Sequence, residues 1–182
     1  MWLAVVSASD AATVSLQYTP FASNGGLLPG LRATPRFGGT CATASFVVSG
    51  PTVFRCFAAD EIYDPCYLDA RGGEAGRPVV VCVAAPWAVG AVRLRLSSVP
   101  IAASGFPPGG PPWALRLESG RRCLFVQGAT RVVRGRRLDY VCDGRGLLFG
   151  TPDRSRPTWR ISQATSPGGA QMRKVAIAVA WH

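Results

Sequence analysis

At 182 residues, with 48% apolar and only 16% charged side chains, the chain is long enough to bury a core and too apolar for wholesale disorder. Its 21 glycines and 15 prolines exclude a helical bundle and suit many short strands joined by turns. The net charge of +10 is uneven: through Pro112 seven arginines face six acids, whereas from Trp113 onward twelve arginines and Lys174 face four. A GC-rich genome would produce such arginine and alanine usage. An anionic partner for the C-terminal part would also account for it.

In chain order, Ala12–Tyr18 alternates, with Val14, Leu16 and Tyr18 on one side, and predicts a first strand. Thr19–Gly39 is turn-rich and is expected to wind over the surface, and Thr40–Val48 fits either a strand or a short helix. Val53–Phe57 predicts a buried strand around Cys56, and Ala58–Asp64 a helical turn stopped by Asp64-Pro65-Cys66. Arg71–Gly76 is a polar loop before the dense apolar strand Pro78–Val83. In Ala91–Leu96, Val92, Leu94 and Leu96 are expected inside and Arg93 and Arg95 outside.

Ser104–Pro112 (SGFPPGGPP) is too rich in proline and glycine to form a ladder. It is the expected linker, or a crossing loop, between an N-terminal part (1–103) and a basic C-terminal part (113–182). The rest predicts a meander. Trp113, Leu115 and Leu117 alternate inward, Ser119-Gly120 turns into Arg121–Val126, and Arg131–Val133 turns through Arg134-Gly135 into Arg136–Cys142. Leu138, Tyr140 and Cys142 share a face there, and Asp143-Gly144 turns again. Leu147–Gly150, Thr158–Ile161 and Val175–Trp181 complete the set, the last with Val175, Ile177, Val179 and Trp181 expected on one face and alanines on the other. The fold class is thus mostly β: a disulfide-stapled antiparallel meander, barrel-like or sandwich, as one domain or two small subdomains.

The six cysteines are Cys41, Cys56, Cys66, Cys82, Cys123 and Cys142. An even number in loop-rich β sequence points to disulfides and an oxidising compartment. Zinc ligands usually come in close Cys-x2-Cys pairs with histidine nearby, whereas here the closest spacing is Cys56 to Cys66 and the sole histidine is His182, so no metal is expected. Many connectivities are open to six cysteines. Sequential pairing, Cys41–Cys56, Cys66–Cys82 and Cys123–Cys142, is the expectation, each bond clipping one hairpin-like excursion and contributing about 3 kcal/mol. The opening Met1-Trp-Leu-Ala-Val-Val lacks the basic and apolar regions of a signal peptide. No run reaches the ~20 apolar residues of a membrane helix. An extracytoplasmic chain would therefore be a mature fragment, or start further upstream.

Several phrases occur together: Gly39-Thr40-Cys41, Phe54-Arg55-Cys56-Phe57, Asp64-Pro65-Cys66, Val81-Cys82 with Pro86-Trp87, Pro112-Trp113 through Gly120 and Cys123, Tyr140 with Cys142, and Ala180-Trp181. From Gly39 to the end this order resembles a group of uncharacterised extracytoplasmic six-cysteine proteins and domains of actinobacteria and related bacteria. The resemblance implies an envelope location and disulfides, and carries over no catalytic residue.

Catalysis finds little footing. His182 is terminal, Lys174 abuts Arg173 at a strand start, and oxidised cysteines cannot attack, so no catalytic residue and no cofactor is expected. Asp60, Glu61 and Asp64 cluster before Cys66, which would suit a carboxylate-dependent polysaccharide hydrolase or a weak calcium site, but also ordinary turn carboxylates. Trp87, Trp113, Trp159 and Trp181 read as core, with Trp87 placed to pack on a disulfide. The best binding candidate is the arginine-rich hairpin region: Arg121, Arg122, Arg134, Arg136 and Arg137, with Arg131 and Arg145 nearby. The expected partner is an anionic envelope polymer or, for a secreted inhibitor, another protein. Nucleic acid is disfavoured, because no exposed aromatics interleave the arginines.

Overall fold

The computed structural model describes residues 11–72, 76–100, 109–128, 130, 132–133, 135–165 and 171–182. It is almost entirely β. It forms two compact units. The N-terminal unit holds Leu16–Ala114 with Trp181–His182, and the C-terminal unit holds the described residues of 1–15 with Leu115–Ala180. Of the expected 104–112 linker, residues 104–108 lie outside the described set, as do Arg131 and Arg134 and the opening hexapeptide.

In the N-terminal unit a five-strand meander closes on itself. Strands β2 (Arg32–Ala44), β3 (Val53–Ala58), β4 (Glu61–Leu68), β5 (Val79–Val83) and β6 (Gly90–Leu96) form a closed barrel. Successive strands pair antiparallel, and the closing β2–β6 pair is parallel. The interior is Cys41, Phe54, Cys56, Ala58, Cys66, Val80, Cys82, Leu94 and Leu96. Every residue of β5 is buried, so its run of valines needs no alternation. Outside the barrel wall, Tyr18 packs edge-on against Tyr67 at 5.9 Å and Trp113 at 5.7 Å.

Two local expectations are corrected here. The turn-rich reading of Thr19–Gly39 fails from Arg32, because Arg32–Gly39 pairs residue by residue with β6. Pro35 is tolerated there because this half of β2 has a ladder on one side only, its β3 pairing starting at Thr40. The helical turn over Ala58–Asp64 is instead a tight hairpin. Ala58 pairs with Glu61, Ala59 takes the left-handed turn conformation (φ 50°), and β4 runs on through a cis Asp64–Pro65 bond. Cross-strand pairing of Phe57 with Ile62 and Cys56 with Tyr63 overrides the proline signal.

The C-terminal unit is an eight-stranded sheet in the order β1 (Val14–Leu16), β13 (Met172–Trp181), β12 (Arg160–Ala164), β11 (Gly146–Asp153), β10 (Arg136–Cys142), β8 (Arg122–Phe125), β7 (Ala114–Leu117), with β9 (Val132–Val133) beside β10. Pairing of β7 with β13 closes it, and the Glu118 N–H donates to Ala176 O at 3.1 Å. Leu115, Leu117, Cys123, Tyr140, Cys142, Leu148, Ile161, Ile177 and Ala180 fill the core. Gly120, at φ 84°, provides the left-handed corner of the β7–β8 hairpin, where the Leu117 N–H donates to Arg121 O at 2.9 Å. Val14 and Leu16 are exposed, at 52% and 41%, and on β13 both Ile177 and Ala180 lie in the core. Val179 is buried as well, so β13 is covered on both faces and its alternation carries no direction.

The three disulfides are Cys41–Cys56, Cys66–Cys82 and Cys123–Cys142, the sequential pairing. Among the described residues no cysteine is free, and no helix is long and apolar enough to cross a membrane.

Gly39 lies where a Cβ would sit 2.4 Å from Leu94 Cγ, inside a packed wall. Gly39→Ala is expected to destabilise the chain by about 1–3 kcal/mol in denaturant unfolding, as overpacking does, and Gly39→Ala/Leu94→Ala is expected to lose less than the sum of the two single losses. An unchanged midpoint in the single variant would refute this packing.

Candidate functional site

Among the described residues, the arginines proposed from sequence fall into two groups. Arg121 and Arg122 lie at the β7–β8 hairpin, beside the Cys123–Cys142 end of β10. Arg136 and Arg137 open β10 at its other end, against β9, roughly 17 Å away along the strand. Arg134 lies outside the described residues.

Arg136 and Arg137 serve the fold. The Arg137 guanidinium donates to Val126 O at 3.2 Å, Gly128 O at 3.1 Å and Thr130 Oγ1 at 3.2 Å, tying down the loop after β8. It also lies 3.7 Å from Asp139. Arg136 reaches over β11 to donate to Ser162 Oγ on β12 at 2.6 Å. Ser162 is almost fully buried, so this bond satisfies a hydroxyl that would otherwise be stranded.

The other end keeps a basic surface. Arg116 lies between core residues Leu115 and Leu117 and therefore projects outward, and Arg122 precedes the core residue Cys123 on the neighbouring strand. The guanidinium of Arg121 folds over Gly146, 3.2 Å from where a Cβ would be placed, next to Arg145 in the Asp143–Arg145 turn. Arg116, Arg121, Arg122 and Arg145 are all exposed, with the carboxylates of Glu118 and Asp143 in the adjoining turns. Sequence reasoning missed Arg116 because it lies across the hairpin from the basic run. Its outward place in the alternation was the available signal.

The carboxylates grouped near Cys66 are occupied by structure. Asp64 accepts from Ser45 Oγ at 2.5 Å and from the Phe46 N–H at 3.0 Å, while Ser45 Oγ accepts from the Val47 and Val48 N–H groups, fixing the turn after β2. Glu61 accepts from the Tyr63 hydroxyl and lies 3.8 Å from Arg36, and Asp60 is exposed in the β3–β4 turn. The Sγ atoms of Cys56, Cys66 and Cys82 lie within 4.8 Å of one another, a spacing at which thiolates share a metal ion. Each is bonded to a partner sulfur, and a disulfide sulfur is not a thiolate ligand. The aromatic residues are mostly structural. Trp113 is buried, Trp159 packs against the core with Arg154 4.6 Å over its ring, and Trp87 meets Trp181 edge-on at 5.5 Å.

Compared with known protein families, curated proteins and solved structures, the chain shows no match to any of them.

Burial holds the Asp139 carboxyl above its ordinary range, against the lowering pull of Arg137 and of a backbone hydrogen bond from Gly150. A carboxyl raised on folding opposes stability once ionised. Asp139 thus favours the fold least above its folded-state pKa, and this penalty disappears as pH falls through that value. Asp139→Asn is expected to flatten the stability profile between neutral pH and about pH 4, with no loss of stability at pH 7, in denaturant titrations. A large loss at pH 7 would show that the Arg137 pairing outweighs burial.

Proposed function

We propose that this chain is a non-catalytic binding module of the extracytoplasmic space that holds an anionic partner on the arginine surface of its C-terminal unit. The observation that carries this reading is the outward set of Arg116, Arg121 and Arg122 at the β7–β8 hairpin with Arg145 in the turn beside it, and two carboxylates among four guanidinium groups. Planar guanidinium forks suit phosphate and carboxylate, and a field of one sign concentrates such partners near the surface. Three disulfides support an oxidising compartment, where small β domains are commonly braced in this way. The resemblance to six-cysteine envelope proteins agrees with that location. The structural engagement of Asp64 and Glu61 weighs against a hydrolase built on them.

The test is retention of the full chain on immobilised polyphosphate across a salt gradient. The parent is expected to bind at low ionic strength and elute as salt rises. Arg116→Gln/Arg121→Gln/Arg122→Gln should weaken binding by about 1 kcal/mol per guanidinium removed, the order found for basic residues at an anionic surface. Arg136→Gln should leave retention unchanged while lowering the unfolding midpoint. No retention of the parent at low salt, or equal retention of the triple variant, would refute the proposal.

A further inference from the structure

A second surface, independent of the arginines above, lies on the outer wall of the N-terminal barrel. On β3, Phe54, Cys56 and Ala58 fill the interior, so Arg55 and Phe57 project outward. Cross-strand pairing sets Thr43 beside Arg55 and Ile62 beside Phe57 on the same outer face. Phe46 joins them from the turn after β2, where its N–H donates to Asp64 at 3.0 Å and Ser45 Oγ accepts from the Val47 and Val48 N–H groups. Phe46, Phe57 and Ile62 stand 47%, 38% and 56% exposed, and exposed apolar side chains grouped in this way mark interaction sites. Ile62 also borders a mostly apolar cavity of ≈ 430 Å³, lined further by Tyr63, Val83, Ala91 and Val92, which has room for an apolar side chain.

Arg55 lies within this set. Its guanidinium carbon is 4.7 Å from the centre of the Phe46 ring and 5.7 Å from that of Phe57. Among the described residues those rings are its contacts, and the guanidinium makes no hydrogen bond and no ion pair. Its Nε, and the hydroxyl of the facing Thr43, are buried without a hydrogen-bond partner. Burying such groups unsatisfied costs stability, so two of them on facing residues call for an explanation. An aromatic ring over a guanidinium takes up its face and leaves the N–H donors along its edge, where a carboxylate accepts them as a bidentate pair. We infer that this face docks a partner protein, an acidic side chain of the partner on Arg55 and an apolar one beside it on Phe57 and Ile62. Charge complementarity favours that occupant, because the arginine meets its counter-ion only on docking. Composition favours it as well, since arginine and aromatic side chains dominate the centres of protein interfaces. A barrel's outer wall is convex, so a small carboxylate would reach Arg55 without enclosure and leave Ile62 unused.

Selection of randomly displayed peptides on the immobilised full chain, followed by calorimetric titration of the enriched peptide, tests this. Enriched peptides are expected to carry Asp or Glu next to Leu, Ile or Phe. Changing that acid to its amide, or Arg55→Met in the chain, should each weaken binding roughly tenfold, and Ile62→Ser should weaken it severalfold. Arg55→Met keeps an apolar stem against both rings and removes the unpartnered Nε, so its unfolding midpoint should not fall. No enrichment, enriched peptides without an acid, binding unchanged by Arg55→Met, or a lowered midpoint in that variant would each overturn the inference. A dimer of the parent in sedimentation that Ile62→Ser dissociates would assign the face to a second copy of this chain and overturn it equally. The Arg116→Gln/Arg121→Gln/Arg122→Gln chain should bind the peptide as the parent does, so this inference and the polymer-binding proposal fail separately.

Discussion

Each disulfide joins neighbouring strands inside a closed sheet, and this constraint underlies the rest of the structure. Cys66 faces Cys82 across β4–β5, and Cys123 faces Cys142 across β8–β10. Cys41 and Cys56 join β2 to β3 where that ladder shifts register. A slip of one residue would turn every side chain of a strand to the opposite face. Strands rich in valine, alanine and glycine, with both faces partly buried, hold register weakly by pattern alone. A covalent bond between facing residues removes that freedom, and it limits the disorder of the unfolded chain.

With register fixed, each unit can carry irregularities that would otherwise endanger pairing. In the N-terminal unit these are the Phe37–Gly39 bulge and the proline-bearing half-strand of β2. In the C-terminal unit, β10 bulges between Leu138 and Tyr140, where Asp139 lies buried beside Arg137. The charged side chains divide accordingly. Arg136, Arg137, Asp64 and Asp69 complete hydrogen bonds of the fold, whereas Arg116, Arg121, Arg122 and Arg145 are outward-facing.

The sequence was legible where periodicity, turn chemistry and cysteine spacing agreed. The meander from Trp113, the Gly120 corner, the inward Leu94 and Leu96, the buried Tyr140 and the sequential disulfides all follow from such agreement. It was illegible where long-range pairing decided. Nothing local announces that Arg32–Gly39 becomes a strand, since its partner β6 lies more than fifty residues away in sequence. The Ala58–Asp64 segment is extended because β3 lies beside it. At the arginine surface, residue type was readable, but placement was not. The Arg121–Arg122 pair lies beside one end of β10 and the Arg136–Arg137 pair at its other end, and Arg116 lies across the β7–β8 hairpin from Arg121 and Arg122.

The central claim is that all six cysteine sulfurs serve as register-fixing crosslinks. Because the sulfurs of Cys56, Cys66 and Cys82 lie within 4.8 Å of one another, crossed bonds or a shared ion are the chemical alternatives that must be told apart. Mass-spectrometric peptide mapping of natively produced, unreduced protein does this directly. Three linkages are expected, Cys41–Cys56, Cys66–Cys82 and Cys123–Cys142. Free thiols, a retained metal ion, or a bond joining Cys56 to Cys66 would contradict it.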